Sequence, residues 1–209
     1  MQQDKKINYQ LKLDETLKKI TDSGAVPTLL LHACCAPCSS YVLEYLSRYF
    51  EITVFFYNPN IYPDTEYEHR AAEIAGFVER FPAEHKVELI TAEHGEKTFY
   101  DAVKGFEHLE EGSERCYRCY EMRLRETAER ASALGFDYFT TTLSISPMKN
   151  AAWLNEIGGR LAEEYGTAYL YSDFKKKNGF KRSTELSAEY GLYRQDYCGC
   201  VFSYNSRRR

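Results

Sequence analysis

Apolar positions along the chain alternate between short unbroken runs and longer stretches of helical spacing. Thr28 to Ala33 and Ile52 to Tyr57 are almost wholly apolar, the pattern of strands buried on both faces of a parallel sheet. Val87 to Ile90, Asp137 to Leu143 and Thr167 to Tyr171 are read as three further strands. Between the first two runs, Val42, Leu43, Leu46 and Phe50 predict a helix over 39–50, and Ile74, Phe77 and Val78 predict another from Glu66 to Phe81. Tyr120 to Leu134, closed by Gly135, predicts a third. Ser146 reads as a helix cap with Pro147 as first helical residue, the helix then running to about Tyr165 despite Gly158 and Gly159.

Alternation of strand and helix predicts one three-layer α/β domain over 27–200. Residues 1–26 read as a polar appendage with a short helix, Asp14 to Ile20, whose Leu11, Leu13, Leu17 and Ile20 face the core. Residues 171–200 form a basic, cysteine-containing end to the domain, and 201–209 a flexible tail. His94 to Ser113 is the least regular stretch, a candidate lid with a weak helical pattern through Phe99, Val103 and Phe106.

Composition changes this picture at the cysteines. Seven are present, at 34, 35 and 38, at 116 and 119, and at 198 and 200. The N-terminus shows no apolar targeting segment and no run approaches a membrane span, so the expected location is the cytoplasm, without membrane association. Thiols stay reduced there, and clustered cysteines then point to metal or redox chemistry. Cys35 and Cys38 stand at a helix start, where unpaired N–H groups favour thiolate. Cys116 and Cys119, three apart at another helix start, share one face.

Several chemistries fit these thiols. A structural zinc would draw on Cys116, Cys119, Cys198 and Cys200, giving a zinc-stabilised RNA-binding module. A thiol–disulfide oxidoreductase would use Cys35 and Cys38. An iron–sulfur or mixed iron centre uses the surplus beyond four, with Cys34 and Cys35 pointing apart from an extended backbone toward two neighbouring metals.

Other groups surround the expected site. The loop after the second strand delivers Asn58, Asn60, Tyr62 and Asp64 to the same sheet edge as Cys34. Thr141 and Ser146 are candidate phosphate or ribose contacts. The formal charge is -4, so no global field announces a polyanion. Locally, however, Lys175, Lys176, Lys177, Lys181 and Arg182, interleaved with Phe174 and Phe180, read as a nucleic-acid surface, to which Arg118 and Arg194 add. No glycine-rich dinucleotide fingerprint follows the first strand.

An ordered set of motifs carries a resemblance. Leu31-His32-Ala33-Cys34-Cys35-Ala36-Pro37-Cys38, Tyr57-Asn58-Pro59-Asn60-Ile61 with Glu66-Tyr67, and Cys116-x-x-Cys119 come first. Thr140 to Pro147, Asp173-Phe174 with Gly179-Phe180, and Tyr193-Arg194-Gln195-x-Tyr197-Cys198-Gly199-Cys200 complete it. Over Leu29 to Cys200 the chain resembles the cobalamin-independent epoxyqueuosine reductases, the QueH family.

That resemblance implies reduction of the epoxide of epoxyqueuosine, at the wobble position of tRNA, to the alkene of queuosine. It implies a Rossmann-like parallel sheet of the adenine-nucleotide hydrolase (HUP) type, with a small cysteine-containing C-terminal extension. It also implies a [4Fe-4S] cluster beside an additional iron, with Cys34, Cys35, Cys116 and Cys119 as the expected ligands. Cys38, Cys198 and Cys200 are then further ligands or a redox dithiol. Protonation of the departing oxygen needs an acid, for which Asp64, Tyr62, Asp196 and Tyr197 are candidates, Asp196 alternatively as an iron ligand. With no flavin or nicotinamide signature, electrons are expected from an external ferredoxin- or flavodoxin-like donor.

Overall fold

The computed structural model describes residues 7–208. Its centre is the strand β1 (Thr28–His32), paired in parallel with β2 (Glu51–Phe56) on one side and β4 (Tyr138–Thr141) on the other. With β3 (Val87–Thr91) beyond β2 and the two-residue β5 (Ala168–Tyr169) beyond β4, the order is β3-β2-β1-β4-β5, all parallel. The chain winds outward from β1, then returns to the far side of β1. The gap between β1 and β4 is therefore the switch point at whose carboxyl end such sheets place ligands.

Alternation within β1 builds two cores. Leu29 and Leu31 face α1 (Tyr9–Ser23), α2 (Ala36–Leu46) and α3 (Asp64–Arg80), meeting Leu13, Val42, Leu43 and Ile74. Leu30 faces the other way, toward Leu124 and Ala128 of α5 (Glu114–Leu134) and Leu154 and Ile157 of α6 (Ala151–Tyr165). Helices therefore cover both faces of a parallel sheet, a Rossmannoid arrangement. Among the described residues no helix is long and apolar enough to cross a membrane.

Several expectations change. α1 is longer than expected because Asn8 Oδ1 caps it, accepting from the N–H groups of Gln10 and Leu11 at 3.1 and 3.2 Å. Its Leu13, Leu17 and Ile20 enter the main core, so this segment is no appendage, whereas Leu11 is 56% exposed. The expected appendage and tail also include residues 1–6 and 209, which lie outside the described residues. Residues 201–206 are not a flexible tail but the helix α8 (Val201–Ser206), with Ser203 buried.

Within the stretch expected to be irregular, α4 (Glu96–Val103) buries Phe99 and Val103. Ser146 does not start a helix. It ends a 3-10 turn (Thr142–Ile145), and α6 begins later, capped by Asn150. α7 (Gly179–Glu189) packs on α2.

Candidate thiol-lined active site

β1 runs out at His32, the chain bends at Cys34, and Cys35 becomes the N-cap residue of α2. Cys38 follows in the first helical turn, one turn from Cys35 and on the same face. The bend breaks the alternation of an extended strand, so Cys34 and Cys35 do not point apart; their sulfurs lie 3.7 Å from each other. The sulfurs of Cys34, Cys35 and Cys38 all lie within 4.8 Å of one another. Across the switch point Cys34 Sγ is 3.9 Å from Thr142 Oγ1.

Crowding sets the ionisation of this trio. Cys35, hydrogen-bonded to Cys34, and the adjacent Cys38 thiol hold Cys34 well below the ordinary range. Cys35 is correspondingly pushed up to about 12 and Cys38 also rises, each by its interaction with Cys34. The first proton lost leaves from Cys34. Gln195 Nε2 donates to Cys35 Sγ at 3.2 Å, and Arg70, 1% exposed, adds its charge beneath.

A second thiol neighbourhood adjoins the first. Lys149 Nζ donates to Cys198 Sγ at 2.7 Å, and Glu111 lies 3.8 Å from the same ammonium. The neighbouring Cys200 thiol and the Lys149 ammonium hold the Cys198 thiol well below its ordinary range, while Cys200 rises. Ser203 ties the loop down, accepting from the Cys198 N–H at 3.1 Å and donating to Glu111 at 3.0 Å. Gly199, at φ 117, has a backbone conformation that side-chain-bearing residues rarely adopt, and a Cβ there would stand a tight 3.2 Å from Arg70 Nη1.

Of the four expected ligands, Cys34 and Cys35 converge, and Cys38 joins them. Cys116 and Cys119 are buried in the first turns of α5, and Cys116 Sγ accepts from the Gly112 N–H at 3.2 Å. Cys119 packs with Phe99, Val103 and Cys200. Among the described residues no three of Cys116, Cys119, Cys198 and Cys200 have sulfurs within 4.8 Å of one another.

Of the candidate acids, Asp196 and Tyr197 line the cleft beside Cys34, Cys38 and Cys198. Burial raises the Tyr197 hydroxyl to about 12, and it donates to the Tyr62 carbonyl oxygen. Asp64 and Tyr62 are not in the cleft wall. Asp64 starts α3 with its side chain 76% exposed, 3.2 Å from His94, and Tyr62 packs edge-on against Tyr204.

Among the candidate contacts, Ser146 and Arg194 line the cleft. Thr141 is buried between His32 and the Leu143 N–H, and Asn58 Nδ2 donates to the Ala33 carbonyl oxygen at 2.8 Å. Asn60 is buried, its Oδ1 without a partner. Much of the basic run is engaged by acids of the fold itself. Lys175 meets Asp173 and Lys177 meets Asp14, each at 2.7 Å; Lys181 meets Glu185 at 4.0 Å, and Arg182 Nε meets Glu44 at 3.0 Å. Lys176 is exposed, and Arg118 pairs with Glu114 at 2.9 Å.

Arg123, Lys149 and Arg207 also line the cleft and were not expected there. Arg123 was findable, because it stands four residues past Cys119 on one helical face. Lys149 was hidden by reading a helix from Pro147.

Soft thiolate donors at the ligand edge of a parallel α/β sheet, flanked by buried cations, define a metal- or thiol-dependent redox protein. A family model described as "Epoxyqueuosine reductase QueH" matches residues 29–206. The chain belongs to that family, and with it to the oxidoreductases. It is 43% identical over 205 residues to epoxyqueuosine reductase QueH of Streptococcus pyogenes serotype M1, covering 97% of this chain and 80% of that one. It is 43% identical over 202 residues to the Staphylococcus epidermidis protein of the same name, covering 95% and 85% of the two chains. To that of Thermotoga maritima it is 39% identical over 184 residues, covering 87% and 92%.

Proposed function

We propose that this chain reduces epoxyqueuosine to queuosine in the anticodon loop of tRNA, in the cytoplasm, with electrons from an external ferredoxin- or flavodoxin-like donor. The observation that carries the reading is the convergence of Cys34, Cys35 and Cys38 at the switch point in a chain of this family. An all-sulfur donor set fits a [4Fe-4S] cluster and an additional iron better than a hard cation, which selects oxygen. Cys34, Cys35 and Cys38 would be the first donors, with Cys116 and Cys119 as further ones. When bound, such a centre supplies electrons and a Lewis-acidic position. The strand order supports placing the sheet with the adenine-nucleotide hydrolase type.

The residues of the chain do the rest. Gln195 fixes Cys35, and Arg70 balances charge below it. Arg194 and Arg207, exposed on the cleft, take phosphates, and Phe180, 39% exposed with Arg194 over its ring at 5.7 Å, offers a face to an unstacked base. Asp196, exposed beside Cys198, passes protons from solvent.

Anaerobic purification with iron, zinc and acid-labile sulfide analysis, followed by assay on RNA carrying epoxyqueuosine, tests the proposal. Iron above four per chain with conversion to queuosine is expected, and Cys34→Ser should lose about 10³-fold in conversion. A colourless protein with stoichiometric zinc would return the RNA-binding module. Disulfide exchange without epoxide reduction would return the thiol–disulfide oxidoreductase.

A further inference from the structure

Arg123 is 2% exposed, yet it has no carboxylate partner among the described residues. Its Nε donates to the Cys119 carbonyl oxygen at 3.1 Å, and Nη2 is buried with no acceptor at all. The same side chain lines the cleft that contains Cys34 and Cys198. A buried guanidinium with unused donors is costly, and such a group is retained where a ligand offsets the cost. Negative charge entering the cleft would give those unused donors an acceptor.

The position of Arg123 identifies that charge. Arg194 and Arg207 are exposed on the cleft and are within reach of a nucleic-acid backbone. Arg123 is buried and Lys149 half-buried on the thiol side, both within electrostatic reach of Cys198. Lys149 already spends its ammonium on Cys198 and Glu111. Arg123 has its Nη edge free.

We propose that Arg123 is a catalytic residue, donating through its free Nη edge to the oxygen that departs from the epoxide. The role rests on the epoxide reduction proposed above. In that reaction both C–O bonds of the ring break and a C=C bond forms. Two electrons arrive from the external carrier, two protons come from solvent, and the oxygen leaves as water. Negative charge on the oxygen is greatest after the first C–O cleavage and before protonation. A guanidinium does not give up its proton, so Arg123 stabilises this charge while Asp196 carries protons. Because it is already desolvated and held by Cys119, little reorganisation accompanies the reaction.

A backbone phosphate is also an oxyanion, and the experiment separates the two. Iron-loaded wild-type protein, Arg123→Gln and Arg123→Lys are assayed anaerobically on an anticodon hairpin carrying epoxyqueuosine. A second hairpin has neutral methylphosphonate linkages on either side of the modified nucleoside. Arg123→Gln should lose about 10²- to 10³-fold in kcat, with KM within about threefold and iron and sulfide per chain unchanged. The loss should be the same on both hairpins, and dissolved guanidinium should restore part of it where sodium at equal concentration does not. Arg123→Lys should fall about tenfold.

Wild-type kcat in either variant overturns the role. So does a loss that tracks missing iron, or one that appears in KM and vanishes on the neutral hairpin, which assigns Arg123 to a phosphate. If Arg123→Gln does not fold, Arg123→Lys decides alone: a tenfold fall with full iron supports the role, and an unchanged rate removes it. Iron-loaded wild-type protein that leaves the epoxide intact defeats the proposed function itself.

Discussion

His32 ends β1 fully buried, with both ring nitrogens engaged: Nδ1 lies 2.9 Å from Thr141 Oγ1 and Nε2 3.0 Å from the Tyr57 carbonyl oxygen. A carbonyl only accepts, so Nε2 carries the proton and Nδ1 accepts from Thr141. Burial pushes the imidazole down to about 3, with the charge of Arg123 acting in the same direction. The unfolded chain takes up this proton near pH 6.5, so between pH 6.5 and about 3 the unfolded state binds more protons. Stability is therefore lost as pH falls through that window, by up to about 5 kcal/mol from this group. Urea melts of metal-free protein at pH 7 and pH 4.5 should differ by about 2–3 kcal/mol more for the wild type than for His32→Gln. Equal differences would remove His32 from the account. A lone histidine ending an apolar strand carries no sequence signal of this arrangement. The cysteines were legible because they cluster. Which three meet was not, because that depends on a single bend at Cys34.

The elements were legible where hydrophobic period alone decides them, as in β1, β2 and α3, and less so where short polar side chains compete to end a helix. Ser146-Pro147 has the local form of a helix start, yet Asn150 Oδ1 holds the Ala152 and Trp153 N–H groups at 3.0 and 3.2 Å and sets the real one. The two glycines inside α6 illustrate a further limit. Read locally, Gly158 weakens the helix, and alanine there would gain about 1 kcal/mol. In the fold, a Cβ at Gly158 would fall 2.3 Å from the Tyr169 ring, and one at Gly159 2.5 Å from the Tyr171 hydroxyl. Gly158 lets α6 sit flush on β5, against the Tyr169 ring. Gly158→Ala should therefore destabilise by about 1–3 kcal/mol, the opposite sign to the propensity argument. A thermal melt unchanged or raised in the variant would show that Tyr169 yields freely.

At the scale of the whole molecule, the parallel sheet and the location of the site at its carboxyl edge follow from strand order and could be anticipated. The distribution of charge could not. Two partners of the basic run near Lys175, Asp14 and Glu44, lie more than a hundred residues away in sequence and are not visible from the run itself. Folding converts Lys177 and Arg182 from free cations into links that hold α1 and α2 against the C-terminal part of the domain. On the function proposed above, the exposed cations that would meet RNA at the cleft are Arg194 and Arg207. Each phosphate neutralised on a single strand steepens the salt dependence of binding by about 0.7 in log K against log salt. Replacing both arginines by serine should then flatten the slope by about 1.4 and weaken binding at low salt. Arg182→Ser should leave the slope unchanged and instead lower the melting temperature by a few degrees, since it breaks the tie to Glu44. The reverse pattern, a slope that responds to Arg182 and ignores Arg194 and Arg207, would move the RNA from the thiol cleft to the face formed by α2 and α7.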